Sequence, residues 1–189
     1  MTQRYREIAF TPAVSAAQRL NGGTARDAAA RPDASVRDRL TEAEMAFIQA
    51  RDSFYMATMS ASGWPYVQHR GGPTGFVRIL GPDAFGIADY RGNRQYLTVG
   101  NLDENNRASL FFMDYPNRRR LKVLAYARVV TFEDDPDLIA KLSDSGYRAK
   151  VERGLVFDVE AFDWNCPQHI MQRFTSAELE ALLASRPDG

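Results

Sequence analysis

The sequence has little cysteine, little histidine and no net charge. Its single cysteine cannot form an internal disulfide, and its first residues do not combine a basic region with an apolar one, so we expect a cytoplasmic protein. The 24 basic side chains balance the 24 acidic ones, which leaves no overall positive field to attract nucleic acid. The longest apolar runs are far shorter than the roughly 18 residues of a membrane span. We therefore expect a soluble protein that binds neither nucleic acid nor membrane.

Strong catalytic and metal-binding signatures are also missing. The chain contains no nucleophile elbow, no zinc-protease motif, no P-loop and no glycine-rich dinucleotide motif. Cys166 and His169 are spaced like metal ligands, but no second pair accompanies them, so no metal site is expected. Function has to be inferred from looser groups of residues.

Short strand-like segments fill the middle of the chain. Residues 54–59 and 64–70 flank the turn Ala61-Ser62-Gly63, which indicates a β-hairpin. Residues 120–133 place apolar side chains at alternate positions, the pattern of a strand with one buried face: Leu121, Val123, Ala125, Ala127 and Val129. Further strands are predicted at 75–80, 84–90, 107–114 and 154–162. This series of short strands favours a mainly β fold, an antiparallel barrel with peripheral helices.

Helices are predicted around this barrel. Thr41 and Glu44 have capping-box spacing and begin a helix at 41–51, and a second capping box starts at Thr175. Residues 93–101 and 136–145 have the composition of short helices. We expect an N-terminal extension with one short helix at 1–40, the barrel at 41–175, and a C-terminal helix and tail at 176–189.

Two segments next to strand ends have side chains suited to an anionic ligand. Gln68, His69 and Arg70 precede two glycines, which permit close approach of a flat or anionic group. Asn93 and Arg94 lie where a helix is predicted to start, and free amide groups there suit a phosphate. An ordinary turn with surface charge is the alternative interpretation of each segment.

In this order the segments resemble the pyridoxamine 5′-phosphate oxidase-like family of FMN-binding split-barrel proteins. The resemblance covers about residues 41–175 and rests on five stretches: 63–73, 88–96, 100–102, 105–112 and the terminal Trp164 with Arg173-Phe174. It implies a homodimer of split barrels with FMN in clefts at the subunit interface.

The resemblance also implies roles for individual residues. The strand that carries Gln68, His69 and Arg70 would run along the flavin, and the turn at 93–95 would hold its phosphate, with Gln95 in place of the usual lysine. Arg120 would face the flavin, and Trp164 and Arg173 would reach it from the partner chain. The full candidate cofactor-binding set is Gln68, His69, Arg70, Gly71, Asp89, Asn93, Arg94, Gln95, Arg120, Trp164 and Arg173.

The same resemblance argues against one substrate. The oxidases of the family carry an Arg-x-His pair before the terminal arginine, whereas here the stretch is His169-Ile170-Met171-Gln172-Arg173, so oxidation of pyridoxamine 5′-phosphate is not expected. The leading hypothesis is an FMN-dependent oxidoreductase of another small molecule, with His69 as a proton shuttle. A non-catalytic or stress-related flavin-binding module is the alternative, favoured if Trp64, Trp164 and Phe174 close the cleft. A deazaflavin or haem in the same fold is a third hypothesis.

Overall fold

The computed structural model describes residues 1–24, 36–164 and 167–184. Its strands are β1 (Ser53–Met59), β2 (Pro65–Gly71), β3 (Arg78–Gly81), β4 (Ala84–Tyr90), β5 (Arg107–Asp114), β6 (Arg119–Val130) and β7 (Val151–Trp164). Its helices are α1 (Gln3–Ala9), α2 (Pro12–Leu20), α3 (Glu42–Gln49), α4 (Leu97–Glu104), α5 (Pro136–Leu142) and α6 (Ser176–Ala184). None of the helices in these ranges has the length and apolar composition of a membrane span.

All seven strands form one antiparallel sheet in the order β2-β1-β5-β6-β7-β4-β3. The strands β2 and β3 are its two edges, so the sheet is not closed into a continuous barrel. The predicted mainly β fold with peripheral helices is confirmed, as are the hairpin and the long alternating strand. On β6 the predicted alternation holds from Leu121 to Ala127, but then Val130 is buried and Val129 only partly so.

The main core cluster lies on one face of this sheet, which we call the inner face, and a smaller cluster packs α5 on the opposite face: Ala88, Val130, Ile139, Leu142 and Val156. Four phenylalanines from neighbouring strands form the centre of the main cluster, with ring centroids 4.9–6.3 Å apart: Phe54, Phe85, Phe112 and Phe157. Burial of aromatic side chains on this scale is the main source of stability for such a sheet. At one end, the predicted capping box of α3 is present and leads Phe47 and Ile48 into the core.

The N-terminal region contains two helices where the sequence indicated one. Thr2 and Thr11 each cap a helix through their side-chain oxygen, which explains why weakly periodic sequence still folds there. Helix α1 packs on β7: the Thr2 hydroxyl donates to the Phe162 carbonyl at 2.9 Å, and Arg4 pairs with Glu160. The first part of the predicted extension is therefore joined to the sheet. Residues 25–35 and 185–189 lie outside the described residues.

Helix α4 begins at Leu97, four residues later than the sequence predicted. Arg94 and Tyr96 both have positive φ, at 61° and 52°, and a left-handed backbone cannot continue a right-handed helix. Residues 91–96 therefore form a loop before α4, and the free amide groups of the helix begin beyond the predicted phosphate-binding turn.

Candidate functional site

Strand β2 presents different chemistry on its two faces. Its register with β1 pairs Arg70 with Phe54 and Gln68 with Met56, so these polar side chains share the inner face with core residues. His69 pairs with Tyr55 and lies on the opposite, outer face. The three residues that the resemblance places along a flavin are thus divided between the two faces of an edge strand.

The inner-face side chains open into a cleft of about 180 Å³. We call it the inner cleft. It brings together six members of the candidate set: Gln68, Arg70, Asp89, Asn93, Arg94 and Gln95. Helix α4 fixes one of them, because the Thr98 hydroxyl donates to Gln68 Oε1 at 2.9 Å. The Asn93 side chain in turn accepts from the Gln95 amide at 3.1 Å and shapes the loop.

A chain of alternating charges supports the inner cleft. Arg70 Nη1 lies 2.6 Å from Asp89 Oδ1, and Arg153 Nε lies 3.4 Å from Asp89 Oδ2. Arg153 Nη2 continues to Glu152 at 2.9 Å, and Arg91 Nε pairs with Glu152 at 2.7 Å. Three arginines thus share two carboxylates, which leaves a surplus of positive charge beside the cleft.

Glu152 also fixes the loop before α4. Its side chain accepts a hydrogen bond from the Tyr96 hydroxyl at 3.2 Å, and the Arg153 guanidinium lies 4.8 Å from the centre of the Tyr96 ring. The hydrogen bond from Arg91 lowers the pKa of Glu152, so this carboxylate remains ionised near neutral pH.

A second pocket, of about 290 Å³, lies on the outer face. We call it the outer pocket. Its aromatic wall is Tyr55, Phe111 and Tyr115, and Arg173 lies 5.0 Å from the Tyr115 ring centre. Arg120 lies 5.8 Å from the Phe111 ring centre, and its buried Nε has no hydrogen-bond partner among the described residues. Burial and the hydrogen bond with Tyr55 raise the pKa of Tyr115, so this phenol stays protonated.

The remaining candidates lie outside both pockets. Trp164 packs edge-on against Phe47 at 4.7 Å and donates to Glu44 Oε1 at 2.6 Å, so within its own chain it is partly buried against the core. Gly71 ends β2, where an added Cβ would lie 3.0 Å from the His69 ring. At Gly72 an added Cβ would lie 2.8 Å from Phe76, so a packed side chain of the chain itself occupies the space that the sequence suggested for a ligand.

Residues 40–163 match the pyridoxamine 5′-phosphate oxidase family. The chain belongs to this family. Several solved structures share the fold, among them the three that follow. HupZ of Group A Streptococcus has a TM-score of 0.54 and 16% identity, over 71% of this chain and 100% of that chain. A putative pyridoxamine 5′-phosphate oxidase from Lactobacillus delbrueckii has a TM-score of 0.50 and 22% identity, over 66% of this chain and 93% of that chain. The conserved hypothetical protein Rv2991 of Mycobacterium tuberculosis has a TM-score of 0.51 and 15% identity, over 75% of this chain and 99% of that chain. No curated protein matches the chain.

In this member of the pyridoxamine 5′-phosphate oxidase family, sequence reasoning missed several residues around the two pockets. Glu152 lines the inner cleft, and Arg153 contacts Asp89 beside it, because β7 pairs with β4 and places Arg153 opposite Asp89. Tyr55 and Tyr115 join the outer pocket from β1 and from the turn after β5. Long-range strand pairing brings these residues together, and no local sequence motif predicts this pairing.

Metal ligands do not gather in the part of the chain that the structure describes. There, no three His, Cys, Asp or Glu side chains are close enough to hold an ion. Cys166 lies outside the described residues. His169 has a positive φ of 63° and lines the outer pocket beside Arg120.

Proposed function

We propose that this protein binds FMN and acts as an FMN-dependent oxidoreductase on a small molecule. The observation that carries the proposal is the inner cleft, which is lined by two cations, Arg70 and Arg94, and by two neutral hydrogen-bonding side chains, Gln68 and Asn93. A flavin phosphate carries close to two negative charges and needs such a cationic, hydrogen-bonding pocket. Membership of the pyridoxamine 5′-phosphate oxidase family supports the same reading.

The residues of the inner cleft fit this group. Arg70 Nε is buried and has no hydrogen-bond partner among the described residues, which is costly unless a ligand accepts from it. Arg94 is exposed at the rim of the cleft and pairs with no carboxylate in the described ranges. In the proposed complex Arg70 and Arg94 hold the phosphate, and Gln68 and Asn93 orient it.

FMN, when bound, supplies hydride transfer, and this requires the protein only to position and tune the ring. Cations near the pyrimidine edge of a flavin stabilise its reduced form, and Arg120 and Arg173 are the cations proposed for this role. The outer pocket is open, and Trp64 and Phe174 are exposed by 77% and 44%, so neither covers it within this chain. Open space beside cationic groups favours an enzyme over a storage protein.

The proposed active form is a homodimer. In one chain the inner cleft and the outer pocket lie on opposite faces of the sheet, so one flavin does not contact both of them there. In a pair of copies, a single flavin would contact the inner cleft of one copy and the outer pocket of the other. The outer face is suited to this pairing, because Tyr55 and Val67 lie there and are exposed by 40% and 61%. Apolar side chains exposed together on a sheet face are typical of protein interfaces.

Oxidation of pyridoxamine 5′-phosphate is not part of the proposal, because the Arg-x-His pair of the oxidases is absent. Within this scheme His69 remains the proposed proton shuttle. It lies on the outer face against Tyr55, with ring centres 5.6 Å apart, and so on the side of the outer pocket.

The test is a titration of the purified protein with FMN, followed by absorbance and by quenching of flavin fluorescence. Arg94→Asn removes the proposed phosphate contact, and Asn tolerates the left-handed backbone of this position. We expect FMN affinity to fall about tenfold, the usual loss for one charge-assisted contact. Arg128→Gln is the matched control, since it removes an exposed arginine whose only described ion pair, to Asp158, is long at 3.9 Å.

The outcomes separate the hypotheses. FMN binding that weakens in Arg94→Asn but not in Arg128→Gln, followed by reduction of the bound flavin with NADH or NADPH, supports the oxidoreductase. Binding without reduction by either donor supports the non-catalytic module. A protein that binds a deazaflavin or haem but not FMN refutes the cofactor assignment.

A further inference from the structure

We infer that Arg153 is a positioning residue for the anion site of the inner cleft. The residue lies on β7, it belongs to none of the segments that suggested a flavin site, and it contacts groups on both sides of the cleft. This inference rests on the proposed function. The family has a positively charged lysine at the position of Gln95, and Arg153 is the residue inferred to replace that charge.

The first link runs from Arg153 to Arg70 through Asp89. Asp89 is 7% exposed and lies between the two arginines. With Arg70 alone, Asp89 would cancel the charge of the arginine that faces the cleft. With Arg153 as a second partner, the three groups keep one net positive charge, and Arg70 stays available to an anion.

The second link runs from Arg153 to the loop that carries Arg94. The Arg153 guanidinium lies over the Tyr96 ring, and Tyr96 has the left-handed backbone that ends this loop. The Tyr96 hydroxyl bonds to Glu152, which Arg153 also holds. Arg153 therefore orders the side of the cleft from which Arg94 projects, as cation–π contacts and ion pairs do together.

Charge balance supports the same conclusion. Arg70, Arg91 and Arg153 share Asp89 and Glu152, which leaves one positive charge, and Arg94 adds a second. Two positive charges match the charge of a phosphate monoester near neutral pH. Without Arg153 the cluster would be balanced and Arg94 alone would face the phosphate. Among the described residues, the buried Nε of Arg70 lacks a hydrogen-bond partner, so the donors of this arginine are not fully satisfied by the protein.

The test compares FMN with riboflavin, which lacks the phosphate. In Arg153→Met we expect the dissociation constant for FMN to rise about tenfold or more and that for riboflavin to change less than about twofold. In Arg153→Lys, which keeps the charge but loses the planar stack on Tyr96, we expect a smaller rise for FMN alone. Arg128→Gln is again the control and should change neither constant.

Equal losses for FMN and riboflavin would overturn the inference, because they would assign Arg153 a purely structural role. Wild-type affinity of both Arg153 variants for FMN would overturn it as well. If Arg153→Met does not fold, the dissociation constants of Arg153→Lys for FMN and riboflavin decide the inference. Failure of the wild-type protein itself to bind FMN would instead refute the proposed function.

Discussion

Replacing Asp89 by Asn should destabilise the protein and make its stability more responsive to phosphate. Asp89 is 7% exposed and pairs with Arg70 at 2.6 Å and with Arg153 at 3.4 Å. Removing one member of a buried ion pair typically costs about 3–5 kcal/mol, because charge is left without a partner. Asn keeps the shape and one acceptor, and the arginine side chains remain 14% and 19% exposed, so we expect about 3 kcal/mol.

Thermal unfolding measures this effect directly. In a chain of this length, 1 kcal/mol corresponds to about 2–4 °C, so the melting temperature of Asp89→Asn should fall by roughly 6–12 °C. Asp158→Asn is the matched control. Its carboxylate is 40% exposed and lies 3.9 Å from Arg128, so its loss should cost less than about 0.5 kcal/mol.

Inorganic phosphate supplies the second readout. Without the carboxylate, Arg70 and Arg153 are free to accept an anion, so phosphate should raise the melting temperature of Asp89→Asn more than that of the wild type. A melting temperature within 2 °C of the wild type, or an equal phosphate effect in both proteins, would refute the view that Asp89 balances these arginines.

Two further predictions concern stability. Burial raises the pKa of Glu44, but hydrogen bonds from Thr41 and Trp164 outweigh it, and the net pKa lies below its ordinary value. This stabilisation is present above the unfolded pKa and is lost as pH falls through the folded pKa. Trp164→Phe should therefore reduce the difference in unfolding free energy between pH 7 and pH 3. Urea unfolding at both pH values measures this difference, and an unchanged value would contradict the role assigned to the Trp164 hydrogen bond. Gly72→Ala should cost about 1–3 kcal/mol, because its Cβ would lie 2.8 Å from Phe76, whereas Gly92→Ala has open space and should be nearly neutral in the same assay.

The strands could be predicted because side-chain alternation is a local property. Leu121, Val123 and Ala125 are all buried on β6, as their spacing indicated. Both capping boxes were also readable, since Thr41 and Glu44, like Thr175 and Glu178, stand three residues apart and bond as expected. These features need no knowledge of distant contacts.

The site could be predicted only in part, because several of its contacts are long-range. Glu44 accepts from Trp164, 120 residues further along the chain, and this holds the tryptophan against the core of its own chain. The predicted start of α4 was wrong because the left-handed backbone lies at Arg94 and Tyr96 rather than at a glycine. The residue types at these positions therefore do not indicate that a helix cannot begin there. The role inferred for Arg153 depends on β4–β7 register, which becomes visible only in the folded sheet.

The hairpin turn before β2 sets which side chains reach the inner cleft. Strand β2 is an edge strand with one neighbour, and its register with β1 follows from a turn in which Gly63, at φ 82°, donates to the Ser60 carbonyl. Side chains alternate along a strand, so inserting one residue in this turn would exchange the faces. His69 would then point into the cleft and Arg70 away from it. The length of the turn thus determines which side chains line the cleft.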